Sequence, residues 1–105
     1  MNRGDVRWYK FQHPDKKRPV VILTRDSALE YMSEVTIVPI TSTVRDIPVE
    51  VLLDFSDGLS KECAANCDHL QTVAKHKLGA LITRLSLDKI EEIEASIAFA
   101  LGFVE

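Results

Sequence analysis

The sequence predicts a mainly β fold with some helix (α+β), in which a small, strongly curved, mostly antiparallel sheet carries a C-terminal helix. Short apolar runs bounded by Pro, Gly and Asp recur through residues 5–85, which is typical of strands joined by turns. From Leu87 to Leu101, apolar residues instead repeat every three or four positions, which is typical of an amphipathic helix. A chain of 105 residues is expected to form a single domain over residues 1–105.

The first two strands are predicted over residues 5–11 and 20–23, with a turn between them. The first segment alternates loosely between apolar and polar residues, whereas the second has no polar face and is expected at the centre of the sheet. Pro19 has no backbone N–H to donate, so it is expected to mark the start of the second strand. Arg18 is then held at the rim of a rigid sheet.

The remaining elements follow from caps and apolar runs. Ser27 and Glu30 are spaced as in a capping box, which predicts a short helical segment after Asp26. Ser86 is expected to cap the C-terminal helix, and Gly102 is expected to end it. Further strands are predicted over residues 35–40, 48–53 and 78–85, with one or two more within residues 63–74.

The charge of the chain is unevenly distributed. The formal net charge is −3 at pH 7, but Lys and Arg prevail in residues 1–25 and acids prevail after Ser86. This pattern favours a localised anion site with an acidic face opposite, and it argues against a general nucleic-acid coat. No apolar stretch approaches membrane-spanning length and no signal peptide is evident, so we expect no membrane partner and a cytoplasmic location.

Two of the predicted strands have phosphate-binding groups at their ends. Arg18 precedes one of these strands, and the other is followed by Thr41, Ser42, Thr43 and Arg45. A guanidinium binds phosphate through parallel N–H donors, and hydroxyl groups donate to phosphate oxygens. The sequence therefore predicts a site for a polyanion.

These residues belong to a set of short motifs spread along the chain. The motifs are Arg3-Gly4-Asp5-Val6, Arg18-Pro19-Val20-Val21, Pro39-Ile40-Thr41-Ser42, Arg45-Asp46-Ile47-Pro48, Asp68-His69-Leu70-Gln71-Thr72-Val73, Leu78-Gly79 and Leu85-Ser86-Leu87. Together they resemble the MazF/PemK toxins, the sequence-specific endoribonucleases of toxin–antitoxin pairs. The loop at residues 12–17 is shorter than the common version, and Gln71 stands where the family usually has Arg. Both departures concern which RNA sequence is recognised more than the chemistry of cleavage.

The resemblance implies an SH3-like barrel, a homodimer and cleavage of single-stranded RNA without a metal or other cofactor. In such cleavage the 2′-hydroxyl attacks the phosphate and leaves a 2′,3′-cyclic phosphate and a 5′-hydroxyl. The resemblance to this family also implies a cognate antitoxin. We expect that partner to have a disordered tail, acidic and studded with apolar residues, because the tail and RNA compete for the same cations.

The resemblance assigns catalytic roles to Arg18 and Thr41. His13 is a candidate general acid or base, although a solvated loop histidine is the simpler interpretation. Trp8 offers a stacking surface for bases, but its neighbours favour a place in the core. Contacts with RNA are expected from Lys16, Lys17, Ser42, Arg45, His69 and Gln71.

Three other interpretations compete with RNA cleavage. The residues Cys63, Cys67, His69 and His76 are zinc-type ligands, but their spacing matches no common zinc pattern, so we expect no metal site. The fold also suits a CcdB-like toxin, which inhibits gyrase without enzymatic activity, or an SH3-like module that only binds anions. The motifs Arg18-Pro19 and Thr41-Ser42 together favour RNA cleavage, because a toxin that only inhibits a protein target does not need them.

Overall fold

The computed structural model describes residues 1–12 and 16–105. Within them the chain forms seven strands and two α-helices, with one-turn 3-10 helices at Phe55–Asp57, Cys67–His69 and Lys75–Lys77. In chain order the elements are β1 (Asp5–Lys10), β2 (Lys17–Ile22), α1 (Asp26–Leu29), β3 (Glu34–Thr41), β4 (Glu50–Leu53), β5 (Cys63–Asn66), β6 (Gln71–Ala74), β7 (Leu81–Arg84) and α2 (Leu87–Ala100).

Strand β3 organises the sheet, because it pairs with three other strands. Val20–Ile22 of β2 lie beside Ile37–Pro39, while β6 and β5 share the opposite edge of β3. The sheet order is β4-β5-β3-β2-β1-β7, with β6 attached to β3, and every strand pair is antiparallel. The predicted curved antiparallel sheet with a C-terminal helix is therefore confirmed.

Strands β2 and β3 are apolar on both faces because each face covers a separate core. Val21 and Val38 pack into one cluster, which includes Ile93 of α2, while Ile22 and Ile37 pack into a second cluster beneath α1. All five side chains are fully buried. Burial of such a side chain contributes roughly 1.5–3 kcal/mol, so the two strands form a rigid centre from which neighbouring residues project.

The C-terminal helix lies as the sequence predicts. The Ser86 side chain accepts a hydrogen bond from the backbone N–H of Lys89 at 3.2 Å, which is an N-cap. The helix buries Ile93, and the Lys89 ammonium donates to the Leu52 carbonyl at 2.9 Å, which ties the helix to β4. Gly102 follows the helix with a φ of 81°. No helix among the described residues has the length and apolarity to cross a membrane.

Three predicted boundaries are wrong. Strand β2 begins at Lys17 rather than at Pro19, because Pro19 pairs only with Trp8 of β1 and lies outside the ladder with β3. Helix α1 has no Ser27 cap; it begins at Asp26, whose carboxylate instead accepts the backbone N–H of Arg3 at 2.8 Å. The last strand, Leu81–Arg84, is shorter than residues 78–85, because Leu78 still caps the 3-10 helix Lys75–Lys77 and Ser86 already caps α2.

Candidate active site

A groove of about 470 Å³ lies where the start of β2 meets the end of β3. The two strands are antiparallel, with Val20 paired to Pro39, so the residues just before Val20 and those just after Pro39 lie at the same end of the strand pair. Arg18 and Thr41 both line the groove. The remaining lining is contributed by Trp8, Lys16, Lys17, Pro19, Ile40, Ser42, Thr43, Leu59, Ser60, Lys61 and Cys63.

Arg18 is a half-buried cation on a strand that is held firmly in place. Its backbone pairs with Tyr9 of β1, and Val20, two residues further along, is fully buried in the sheet. Within the described residues the guanidinium makes no hydrogen bond or ion pair. At the groove its N–H donors are therefore not used by any other described residue, as a phosphate-binding arginine requires.

Thr41 presents a hydroxyl group whose orientation is set by its own loop. Its Oγ1 accepts a hydrogen bond from the backbone N–H of Thr43 at 3.1 Å. Because the oxygen is used as an acceptor, the hydroxyl proton remains available to donate into the groove. Ser42 and Thr43 are exposed next to it and add two further hydroxyl groups.

Trp8 lies in the groove, so the prediction of a core position is wrong. The side chain is 37% exposed, and the Lys17 ammonium lies 5.8 Å from the centre of a Trp8 ring. Side chains alternate along β1, so Trp8 lies on the same side of the strand as the buried Val6, but further along, where this side opens into the groove. Tyr9 and Phe11 lie on the other side of the segment and pack against the second core cluster.

Lys61 is a groove cation that the sequence did not reveal. It lies in the connection between β4 and β5, together with Ser60, and no recognisable motif surrounds it. The folded sheet brings this connection against the end of β3. The groove thus joins Arg18 and three lysines with a row of hydroxyl groups and one indole ring.

Comparison with known families decides what kind of protein this is. A family model described as PemK-like, MazF-like toxin of type II toxin–antitoxin system matches residues 2–101. The chain belongs to this family. Endoribonuclease MazF3 of Mycobacterium tuberculosis is 39% identical over 88 residues, which cover 84% of this chain and 82% of the relative.

Solved structures of PemK/MazF toxins also resemble the chain. Toxin MazF-mt6 of Mycobacterium tuberculosis superposes with a TM-score of 0.85 and 33% identity, covering 93% of this chain and 96% of that one. An endoribonuclease in complex with its cognate antitoxin, from a mycobacterial species, has a TM-score of 0.87 and 26% identity, covering 100% and 98% of the two chains. The resemblance inferred from the motifs is therefore confirmed.

The first motif of this PemK/MazF chain has a structural role. The Arg3 guanidinium donates to the Leu23 carbonyl from Nε and pairs with Glu94 of α2 through Nη1, both at 2.9 Å. Asp5 is buried and accepts the backbone N–H of Asn2 at 2.9 Å. The two Arg3 contacts fasten the N-terminus to the end of β2 and to the last helix, so the motif stabilises the fold without lining the groove.

Three of the predicted RNA-binding residues do not line the groove in the described part of the chain. Arg45 is exposed on the loop beyond Thr43. His69 and Gln71 lie together near β6, where the Gln71 side chain donates to the His69 carbonyl at 3.2 Å. Gln71 pairs with Ile37, four residues before Thr41 on β3. His13 falls outside the described residues.

The two cysteines are core residues of this PemK/MazF chain. Both side chains are buried; desolvation raises the pKa of the Cys63 thiol, and it raises that of Cys67 to about 11. His69 and His76 are exposed by contrast. No cluster of three or more His, Cys, Asp or Glu side chains among the described residues is arranged to hold a metal ion. The thiols stay protonated near neutral pH and are therefore poor nucleophiles and ligands.

Proposed function

We propose that this chain is a sequence-specific endoribonuclease toxin that cleaves single-stranded RNA in the cytoplasm without a metal ion or cofactor. The observation that carries the proposal is the shared groove of Arg18 and Thr41, each with donor hydrogens that have no partner among the described residues. Membership of the PemK/MazF toxins supports it, as do relatives named as endoribonucleases. In this proposal residues 1–105 act as a single domain.

The proposed reaction uses the RNA as its own nucleophile. The 2′-oxygen forms a bond to phosphorus and loses its proton, the bond from phosphorus to the 5′-oxygen breaks, and that oxygen gains a proton. The products are a 2′,3′-cyclic phosphate and a 5′-hydroxyl. Negative charge develops on the non-bridging phosphate oxygens, where Arg18 and the Thr41 hydroxyl donate hydrogen bonds. A preorganised donor of this kind typically contributes a factor of 10²–10³ in rate.

The remaining groove residues hold the strand on either side of the cleaved phosphate. Lys16, Lys17 and Lys61 neutralise neighbouring phosphates, and the Trp8 ring stacks on an unpaired base. Trp8 is suited to this because two backbone hydrogen bonds fix its main chain to residues 79 and 80. Its N–H donates to the Ala80 carbonyl at 3.2 Å, and its carbonyl accepts from Gly79 at 2.7 Å.

The proposal includes a homodimer and a cognate antitoxin. One of the similar solved structures is of an endoribonuclease in complex with its cognate antitoxin. A groove lined by four cations and an indole ring suits a disordered tail that carries acids and apolar residues. Such a tail and RNA are expected to compete for the groove, because both present negative charge to the same side chains.

Incubation with a mixed single-stranded RNA, with and without EDTA, tests the proposed function. The wild-type protein is expected to cut at defined sites in both conditions, and Arg18→Ala is expected to cut about 10²–10³-fold more slowly. Arg25→Ala is the matched control, because Arg25 is an exposed arginine outside the groove and should leave the rate unchanged. RNA that is bound but never cut would support the anion-binding module, and inhibition of gyrase without RNA cleavage would support the CcdB-like toxin.

A further inference from the structure

Glu50 is a buried carboxylate beside the candidate active site, and the proposed chemistry does not use it. It is the first residue of β4 and is only 8% exposed. Its Oε1 accepts the backbone N–H groups of Arg45 at 2.8 Å and of Asp46 at 3.1 Å. Its Oε2 is also buried, and it has no hydrogen-bond partner among the described residues.

Both bonds to Oε1 come from the segment that joins β3 to β4, residues 42–49, which we call loop 42–49. Its first residues, Ser42 and Thr43, line the groove. Near its middle Asp46 has a φ of 53°, a left-handed conformation that few residues other than Gly, Asn and Asp adopt. Consecutive N–H groups in such a conformation converge on one point and favour an anion there. Glu50 supplies that anion from within the chain.

Loop 42–49 is thereby fastened at its start, middle and end. The Thr43 N–H donates to Thr41 Oγ1, the N–H groups of Arg45 and Asp46 donate to the Glu50 carboxylate, and the Glu50 N–H donates to the Ile47 carbonyl at 2.9 Å. The middle attachment is the only one of these three that needs a charged side chain.

Stability alone does not account for a carboxylate at this position. Arg45 and Asp46 are exposed, so water can satisfy their N–H groups if the carboxylate is removed. A buried oxygen without a partner opposes folding, because it loses its contacts with water and gains no hydrogen bond in exchange. Replacement of a buried charged group by an apolar one of similar volume is often neutral or stabilising. A residue that is unfavourable for folding and holds an active-site loop points to function.

We propose that Glu50 is a positioning residue for RNA cleavage, whose carboxylate holds loop 42–49 so that Thr41, Ser42 and Thr43 face the scissile phosphate. This inference rests on the proposed endoribonuclease function. Glu50 does not touch the RNA; it acts through the backbone of the loop. Loss of the carboxylate displaces the hydroxyl donors, and a displacement of about 1 Å at a reacting centre lowers a rate by on the order of 10²-fold.

Two substitutions separate the positioning role from a role in folding. Glu50→Gln keeps an acceptor oxygen for the two N–H groups, whereas Glu50→Met keeps the volume and removes the acceptor. For Glu50→Gln we expect kcat per folded molecule to stay within about threefold of wild type. For Glu50→Met we expect kcat to fall by on the order of 10²-fold while KM changes much less and the melting temperature does not fall.

Asp54→Ala is the matched control for these two variants. Asp54 is also a carboxylate that accepts a backbone N–H, that of Ser56 at 2.8 Å, but it lies outside the groove. Its removal is expected to leave kcat unchanged. Two outcomes would overturn the positioning role. A wild-type kcat in Glu50→Met would show that cleavage does not need the carboxylate. Failure of Glu50→Met to fold would show that Glu50 is needed for folding instead.

Hydrogen exchange distinguishes failure of this inference from failure of the proposed function. In the wild-type protein the exposed Arg45 and Asp46 amides are expected to exchange at least tenfold more slowly than in an unstructured peptide, and Glu50→Met should abolish that protection. If wild-type protein never cuts RNA, the proposed function fails whatever the exchange rates are. If it cuts RNA but these amides exchange freely, the proposed function stands and the positioning role of Glu50 is overturned.

Discussion

The Oγ1 atom of Thr41 accepts a hydrogen bond from the backbone N–H of Thr43, 3.1 Å away. This bond fixes the oxygen at the end of β3 and leaves the hydroxyl proton as the only part of the group still free to donate. One side chain thus has two roles, since it closes the start of loop 42–49 and presents a donor to the groove.

Substitution at Thr41 separates these two roles. Thr41→Val keeps the shape and removes the hydroxyl group, so we expect kcat to fall by about 10²–10³-fold. Loss of the bond to Thr43 should lower the free energy of unfolding by only about 0.5–1.5 kcal/mol. Thr41→Ser restores a hydroxyl group and should recover most of the rate. A folded Thr41→Val protein that cuts RNA at the wild-type rate would exclude the catalytic role of Thr41.

The indole ring of Trp8 is expected to affect RNA binding more than chemistry. Stacking of a base on an aromatic side chain contributes about 1–3 kcal/mol, so Trp8→Ala should raise KM by about 5–150-fold. Trp8→Phe keeps a stacking surface and should lose much less. Tyr31→Ala is the matched control, because Tyr31 is an aromatic residue that is 84% exposed and lies outside the groove. An unchanged KM in Trp8→Ala would contradict the stacking assignment.

The salt dependence of RNA binding reports whether Lys61 contacts a phosphate. Each phosphate contact on a single strand contributes about −0.7 to the slope of log K against log salt concentration. Lys61→Gln is therefore expected to make the slope less negative by about 0.7, measured with an RNA that cannot be cut. Lys77→Gln changes an exposed lysine outside the groove and should leave the slope as it is. Equal slopes for wild type and Lys61→Gln would remove Lys61 from the interface.

Burial of Cys67 predicts a loss of stability in alkali. Desolvation is the main cause that raises the pKa of this thiol from 9.0 to about 11, and the Asp68 carboxylate adds to it. Below pH 9 the thiol is neutral in both states, and its contribution to stability is complete. Between pH 9 and 11 the unfolded chain ionises first, so the free energy of unfolding falls as pH rises.

Urea unfolding at a series of pH values measures this contribution. The free energy of unfolding of Cys67→Ala should decline less steeply between pH 9 and 11 than that of the wild-type protein, although its value at pH 8 is lower because a cavity is created. Parallel pH profiles for the two proteins would show that Cys67 ionises equally in the folded and unfolded states.

The fold could be predicted largely from local patterns, and the groove only in part. Apolar runs and turn residues are sufficient to locate most strands, and the Ser86 cap with its apolar spacing is sufficient to locate α2. Arg18 and Thr41 are 23 positions apart, and what joins them is the antiparallel register of Val20 with Pro39. No local pattern contains a register, so the sequence could group these two residues as phosphate-binding strand ends but could not show how the folded sheet brings them together.

The residues that sequence reasoning placed wrongly or missed depend on long-range contacts. Trp8 lies on the buried side of β1 but faces the groove, whose other walls are formed by residues far away in the sequence, such as Thr41 and Lys61. Lys61 reaches the groove only because β5 pairs with the end of β3. Glu50 looks like an ordinary polar residue at the start of a strand, and its role is visible only when its carboxylate is seen to accept two N–H groups from loop 42–49.

The central claim is that the Arg18–Thr41 groove cleaves RNA through its own 2′-hydroxyl. The most direct test is mass spectrometry of the products formed in EDTA from an RNA with one cut site, beside the same RNA with deoxyribose on the 5′ side of that cut. We expect a 2′,3′-cyclic phosphate and a 5′-hydroxyl from the first RNA and no cleavage of the second. Cleavage of the deoxyribose substrate at the same position, or a 5′-phosphate on the product, would contradict the account.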